Sequence, residues 1–159
     1  MAGHVHEQFM ARAIELSIEN VQSGRGGPFG AVIVREGRIV AEGVNGVTLR
    51  NDPTAHAEVS AIRDACQKLG VFDLAGCEIY SSCEPCPMCL GAIYWARLDR
   101  IYYAGTAEDA SRAGFDDAFI YGEFRRAAGE RKIPMHSMMR TEAQAAFRAW
   151  EERDGKTPY

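Results

Sequence analysis

Three of the chain's five cysteines fall at three-residue intervals in Ser82-Cys83-Glu84-Pro85-Cys86-Pro87-Met88-Cys89. Five cysteines cannot all pair, and this spacing suits metal ligation better than disulfide stapling. A metal centre constrains a fold strongly, because it requires side chains from separate segments to meet at one point. Pro87 suits the first position of a helix, which makes Cys86 its N-cap and places Cys89 three residues on, where capping partners converge. Both thiols then sit at the positive end of a helix dipole, which favours the thiolate that metals require. Zinc suits such ligands, and His56 in His56-Ala57-Glu58 is the nearest credible addition.

Two arrangements are open. With three protein ligands, zinc keeps a position for water and lowers its pKa toward neutrality, and Glu58 can move protons for attack on carbon. With Cys83 as a fourth ligand the site is closed and structural, and Glu58 has no role. Residues two apart diverge on a regular helix, so His56 and Glu58 share a pocket only if His56 lies in an irregular first turn. A helix start near Thr54 is expected.

Around this centre the periodicity alternates between helix and strand. Phe9, Met10, Ala13, Ile14 and Val21 predict an amphipathic helix over 7–22, stopped by Ser23-Gly24-Arg25-Gly26-Gly27-Pro28. The runs 29–34 and 39–44 flank Glu36-Gly37 and read as a hairpin. Val59, Ile62, Cys66 and Leu69 predict a second helix ending near Gly70. A strand follows at 77–82, a helix at 87–97, a strand at 100–104 and a short strand near 133–138. Thr141 with Gln144 forms a capping-box pattern, before a helix that carries Ala143, Ala146, Phe147 and Trp150 on one face. The tail 151–159 has no core pattern. Such an order favours a layered α/β domain.

At 159 residues, 47% hydrophobic and 25% charged, the chain has the length and composition of one globular domain without internal repeats, spanning 1–159. A net charge of −4 with scattered lysine and arginine disfavours a nucleic-acid partner. The start Met1-Ala2-Gly3-His4-Val5-His6-Glu7 lacks a basic segment followed by an apolar one, and no uncharged run approaches membrane-spanning length. A reducing, cytoplasmic setting without membrane attachment is expected. Cys66 and Cys77 read as packing residues, and His4, His6 and His136 lack ligand spacing to the cluster.

His56-x-Glu58 followed about thirty residues later by Pro85-Cys86-x-x-Cys89 resembles the signature of zinc deaminases. Gly26-Gly27-Pro28-Phe29-Gly30-Ala31, Asn51-Asp52-Pro53-Thr54-Ala55-His56-Ala57-Glu58 and the cysteine segment extend the resemblance to the cytidine-deaminase-like superfamily. Ala113-Gly114-Phe115-Asp116-Asp117-Ala118-Phe119-Ile120-Tyr121, with the tail to Tyr159, is similar to its bacterial guanine-deaminase branch. The resemblance implies a three-layer α/β/α sandwich around a five-stranded mixed sheet. It also implies a homodimer that exchanges C-terminal segments, about 140–159.

By the same resemblance His56, Cys86 and Cys89 hold Zn2+ and Glu58 shuttles protons, while Asp117 is a second acid on the base or leaving amine. Asn45, Phe29, Trp95 and Tyr159 are implied to line the pocket. The implied reaction is attack of zinc-generated hydroxide on C2 of guanine, giving xanthine and ammonia, with aminotriazines such as ammeline as further substrates. On residue pattern alone, Asp117 is as well explained by a solvated helix face, Phe29 and Trp95 by core packing, Asn45 by a turn with Gly46, and Tyr159 by a loose terminus. Competing functions are a tRNA adenosine or cytosine deaminase and a non-catalytic zinc-stabilised binding module.

Overall fold

The computed structural model describes the chain from residue 2, with side chains from His6 onward, so His4 lies outside the described side chains. It divides into two compact units, 1–121 and 122–159.

The first unit opens with helix α1 (Ala2–Gln22) and a hairpin of β1 (Gly30–Arg35) and β2 (Arg38–Val44). Glu36 and Gly37 both take positive φ, 52° and 72°, the backbone that a two-residue hairpin turn needs to match strand twist. Arg35 faces Arg38 across it, and the register slips once between Ile33 and Val34. A short helix α2 (Val47–Arg50) and helix α3 (Ala57–Leu69) follow, the latter ending on Gly70 in the left-handed conformation that a C-cap favours. Then come β3 (Cys77–Cys83), α4 (Pro87–Trp95), β4 (Arg100–Gly105), α5 (Ala107–Arg112) and α6 (Asp117–Arg125), whose last residues belong to the second unit.

Among the described residues the sheet has four strands in the order β2-β1-β3-β4, antiparallel except for the parallel pair β3 and β4. Its central strands β1 and β3 are buried on both faces. Along β1, Ala31 and Ile33 join Ala57, Ala61 and Ala65 of α3 and Ile93 of α4, whereas Val32 and Val34 join Phe9, Ala13 and Leu16 of α1. This is the expected α/β/α layering, obtained because strand side chains alternate in direction. Gly43 permits the closest helix approach, since a Cβ there would lie 2.2 Å from the Ala57 carbonyl oxygen on α3.

The sheet corrects the expected five strands to four. Residues 133–138 lack strand structure and expose Ile133, Met135 and Met138 at 78%, 69% and 80%. An apolar run becomes a strand only where an edge pairs with its backbone. In the second unit a 3₁₀ turn (Ala128–Glu130) precedes α7 (Arg140–Glu152). Its N-cap is Met139 with φ 53°, so Thr141 lies inside the first turn and does not cap it as the sequence pattern suggested. The expected apolar face is formed yet exposed, Phe147 at 61% and Trp150 at 40%. No described helix is long and apolar enough to cross a membrane.

Candidate active site

Two helix N-termini converge at the C-terminal end of β3. His56 is the N-cap of α3, with extended backbone at φ −73° and ψ 159°, and Cys86 is the N-cap of α4, at φ −65° and ψ 167°. Helix α3 thus begins at Ala57, later than Thr54. This resolves the geometric difficulty of the His-x-Glu spacing, because His56 stands outside the regular helix while Glu58 lies in its first turn. Pro87 takes the first helical position as its fixed φ and missing N–H favour.

The ring nitrogen Nδ1 of His56 is 3.5 Å from both Cys86 Sγ and Cys89 Sγ. One ligand atom from each of the three residues lies within 4.8 Å of the others. Tetrahedral zinc, with Zn–S of about 2.3 Å and Zn–N of about 2.05 Å, separates a nitrogen and a sulfur ligand by about 3.6 Å. The donor set therefore fits zinc in type and in spacing.

Cys83 does not join it. Its thiol donates to the Thr106 carbonyl at 3.5 Å, and burial, reinforced by the Asp117 charge, pushes its pKa up to about 12. The sulfur is kept as a thiol turned to backbone, which disfavours the closed four-ligand arrangement. Without metal, a hydrogen bond from Cys89 and the His56 ring hold Cys86 below the ordinary thiol range. Cys89 is pushed up by that same hydrogen bond and by burial. His56 is raised, first through its bond to Cys86.

Glu58 is 6% exposed. Its Oε1 accepts from the Ser81 hydroxyl at 3.1 Å and its Oε2 from Cys89 at 3.4 Å. Burial is the main reason its pKa is raised, since the charged form loses solvation.

A cavity of about 460 Å³ opens onto this cluster, lined by His56, Glu58, Cys86, Asp117, Asn45 and Phe29, and also by Phe115, Glu84, Thr48 and glycines 24, 26 and 27. Cys89 is fully buried behind it. Asp117 opens α6 and has a raised pKa, through burial first and then the charge at Cys86. The Tyr121 hydroxyl, one turn on, donates to the Pro85 carbonyl and ties α6 to the cysteine segment. Asn45 accepts from the Gly27 and Val47 N–H groups with Oδ1, at 3.2 and 3.4 Å. Its Nδ2 donors are the part left to meet a ligand. The Phe29 ring meets Phe115 edge-on at 4.8 Å.

One expected residue lies elsewhere. Trp95 ends α4, is 65% exposed beneath the Arg97 guanidinium and is absent from the cavity lining. Six residues beyond Cys89 it projects about 120° away around the helix. Tyr159 is 75% exposed in the second unit, where its ring meets Trp150. Phe115, Glu84 and Tyr121 were not singled out from the sequence. Glu84 Oε2 accepts from the Ala107 N–H at the start of α5, a short helix the periodicity did not reveal. Its capping box, Thr106 with Asp109, was the available signal.

Residues 4–105 match the family of the cytidine and deoxycytidylate deaminase zinc-binding region. Over 154 residues the chain is 56% identical to a guanine deaminase of Bacillus subtilis, covering 97% of this chain and 99% of that protein. A crystal structure of guanine deaminase from that species has a TM-score of 0.93 at 56% identity, covering 97% of this chain and 98% of the other. A mutant solved in complex with 8-azaguanine is similar at 35% identity and a TM-score of 0.66, covering 69% and 63% of the two chains. A tRNA-specific adenosine deaminase of Agrobacterium fabrum is 49% identical over 76 residues, 48% of this chain and 50% of that protein.

Proposed function

Because the chain belongs to the zinc-dependent deaminases of the cytidine and deoxycytidylate type, and within them to the bacterial guanine deaminases, we propose that it hydrolyses guanine to xanthine and ammonia. The observation that carries this reading is the pairing of a three-donor cluster with a buried carboxyl on the floor of a cavity. His56 and Cys86 face the cavity while Cys83 turns away, so the arrangement leaves a coordination position toward substrate.

His56 Nδ1 and the sulfurs of Cys86 and Cys89 would hold the zinc, and Glu58 stands beside them. Zinc, when bound, acts as a Lewis acid that acidifies a water molecule to near-neutral pKa. Glu58 would take one proton from the attacking water and give it to ring N3 as C2 becomes tetrahedral, then take the remaining proton from the new C2 hydroxyl and deliver it to the exocyclic amine. A C2–O bond forms, the C2–N bond breaks and ammonia departs. Burial suits Glu58 to this work, since a carboxyl with a raised pKa gives and takes a proton near neutrality more readily.

Asp117, which lines the cavity, would accept from the ring N–H and amino hydrogens of the base, and Asn45 Nδ2 would donate to one of its acceptors. The Phe29 and Phe115 rings supply an apolar side for a planar heterocycle. Aminotriazines such as ammeline present a similar amidine edge and belong to the substrate range proposed.

Phe147 and Trp150 form an exposed apolar face on α7. It supports a homodimer in which the segment 140–159 is exchanged, with Tyr159 reaching a partner's pocket. A cytoplasmic setting agrees with the metal-ligating thiols and with five cysteines free of disulfides among the described residues. The tRNA-deaminase reading is weakened by partial coverage and by the net negative charge.

The test is ammonia release from guanine, cytosine, adenine, guanosine and ammeline by the zinc-loaded protein, with Glu58→Gln as control. Turnover of guanine lost in the variant supports the reading. Zinc retention without turnover of any amine would favour a binding module.

A further inference from the structure

A second cavity, of about 480 Å³, shares its bounding segments with the catalytic one. Residues alternate between the two along the chain. Gly24 and Gly26 line the catalytic cavity and Arg25 the second; Val47 and Thr48 line the first and Arg50 the second; His56 and Glu58 the first and Ser60 and Arg63 the second. The second cavity therefore brings three guanidinium groups, Arg25, Arg50 and Arg63, to one groove beside the edge strand β2.

Its acidic members are already neutralised. Glu42 accepts from Arg12 Nε and Nη2 at 2.8 and 3.0 Å, and Asp64 pairs with Lys68 at 2.6 Å. The three arginines are held more loosely. Arg25 Nε donates to the Ser23 hydroxyl at 2.9 Å, and Arg63 stands 3.8 Å from Asp52, whose nearer bonds go to Thr54. The Arg50 side chain lies across Gly46, where a Cβ would stand only 3.1 Å from its Nε.

Ser60 supplies an independent sign of a missing ligand. It is 9% exposed, lines this cavity, and its hydroxyl has no hydrogen-bond partner among the described residues. Serine is a poor choice for a helix interior, and a buried hydroxyl without a partner costs stability. The hydroxyl is sealed from solvent in the free protein, and a χ1 rotation toward the cavity would let an oxygen-rich ligand satisfy it.

We infer that this cavity binds a phosphate monoester of nucleotide size. Guanidinium groups match phosphate oxygens with paired N–H bonds, and three of them around one hydroxyl suit a dianion with several free oxygens. The volume lies in the range of small-molecule sites, about 300–1,000 Å³, so the phosphate carries an organic group. Arg25 belongs to a loop with little slack: a Cβ on Gly26 would meet the Asn45 carbonyl oxygen at 2.2 Å, and Asn20 Nδ2 donates to the carbonyls of Gly27 and Asn45. A ligand that draws on Arg25 thus acts on a segment that also bounds the substrate cavity.

The experiment is calorimetric titration of the zinc-loaded full chain at low salt with inorganic phosphate, a purine nucleoside monophosphate and the corresponding nucleoside. The monophosphate binds, phosphate competes with it weakly, and salt reduces both affinities. In Arg50→Gln/Arg63→Gln the affinity falls about tenfold or more, while Arg38→Gln, at the far end of β2, leaves it unchanged. Ser60→Ala lowers the affinity without lowering the melting temperature of the ligand-free protein, so it reports on the site independently of the charge changes. Equal affinities in the wild type and the double arginine variant would overturn the inference. So would a monophosphate effect on KM for guanine that persists in that variant, because the ester would then be occupying the catalytic cavity.

Discussion

His56 and Cys86, thirty residues apart, each cap the N-terminus of a helix, and Nδ1 of the one stands 3.5 Å from Sγ of the other. The two helix dipoles point their positive ends at the same spot, which stabilises thiolate there and holds the donors on rigid elements. Cys86→Ala leaves Pro87 to start α4 but removes one of three protein ligands. Bound zinc, read by elemental analysis, should fall from about one per chain to a small fraction of that. Deaminase activity should fall with it, whereas Cys83→Ala should retain metal. Equal loss of zinc in both variants would show that Cys83 is a ligand.

Glu58→Gln tests the proton step apart from metal binding. Glutamine keeps the size and can still accept from Ser81, so zinc content should be unchanged. Loss of a positioned general acid–base group lowers kcat by about 10²–10⁴-fold. A fall smaller than about tenfold would assign the proton transfer to another group.

The metal cluster was legible because proline at the first helical position betrays the N-cap before it, and the Cys86–Cys89 spacing then follows from helix geometry. His56 was legible as the nearest addition to the cysteines and through the His-x-Glu pattern, and sharing a pocket with Glu58 required it to stand outside its helix, a condition the backbone meets at φ −73° and ψ 159°. The central strands were readable from their apolar runs and the Glu36-Gly37 turn. Residues 133–138 misled, since Ile133, Met135 and Met138 have strand composition while pairing depends on a neighbouring edge that composition does not reveal. Helices α5 and α6 span six and nine residues, too short for periodicity to stand out, and lack the first-position proline that marks the equally short α4. Phe115 gave no signal of its own because its role depends on Phe29, which lies far away in the chain.

Asn45 has its Oδ1 committed to two backbone N–H groups, so only its Nδ2 differs usefully from aspartate. Asn45→Asp keeps those acceptor bonds and deletes the donor to the base. KM for guanine should rise about tenfold, the worth of one hydrogen bond, with a smaller change in kcat. Steady-state kinetics separates the two, and an unchanged KM would confine Asn45 to its structural bonds.

The Arg12–Glu42 pair joins α1 to the edge strand, and the Arg12 hydrogen bond holds the Glu42 carboxyl below its ordinary value of 4.5. A carboxyl depressed in the folded state contributes stability that is present above the unfolded pKa and is lost as pH falls through the folded one. Both side chains are partly exposed, at 32% and 37%, so the contribution is screened. Arg12→Gln should therefore cost about 0.5–1 kcal/mol at neutral pH. Urea melts of the zinc-free forms should show that difference shrinking toward acid, and a constant difference across the range would assign the effect to lost packing by the arginine stem.

Helix α7 carries an exposed apolar face, Phe147 at 61% and Trp150 at 40% exposure, one turn apart, with the Tyr159 ring against Trp150. Large apolar groups side by side on one helix face are costly in water and mark a surface that another element covers. If a second copy covers it, Phe147→Glu/Trp150→Glu should convert a dimer to a monomer in light scattering, since burying a carboxylate without a partner is prohibitive. Activity should fall with dissociation if Tyr159 of one chain serves the pocket of the other. Removal of residues 153–159 then separates the two effects. Without the tail, a dimer held by α7 persists while KM rises, whereas a truncated chain that turns over guanine normally would leave Tyr159 with no part in the pocket.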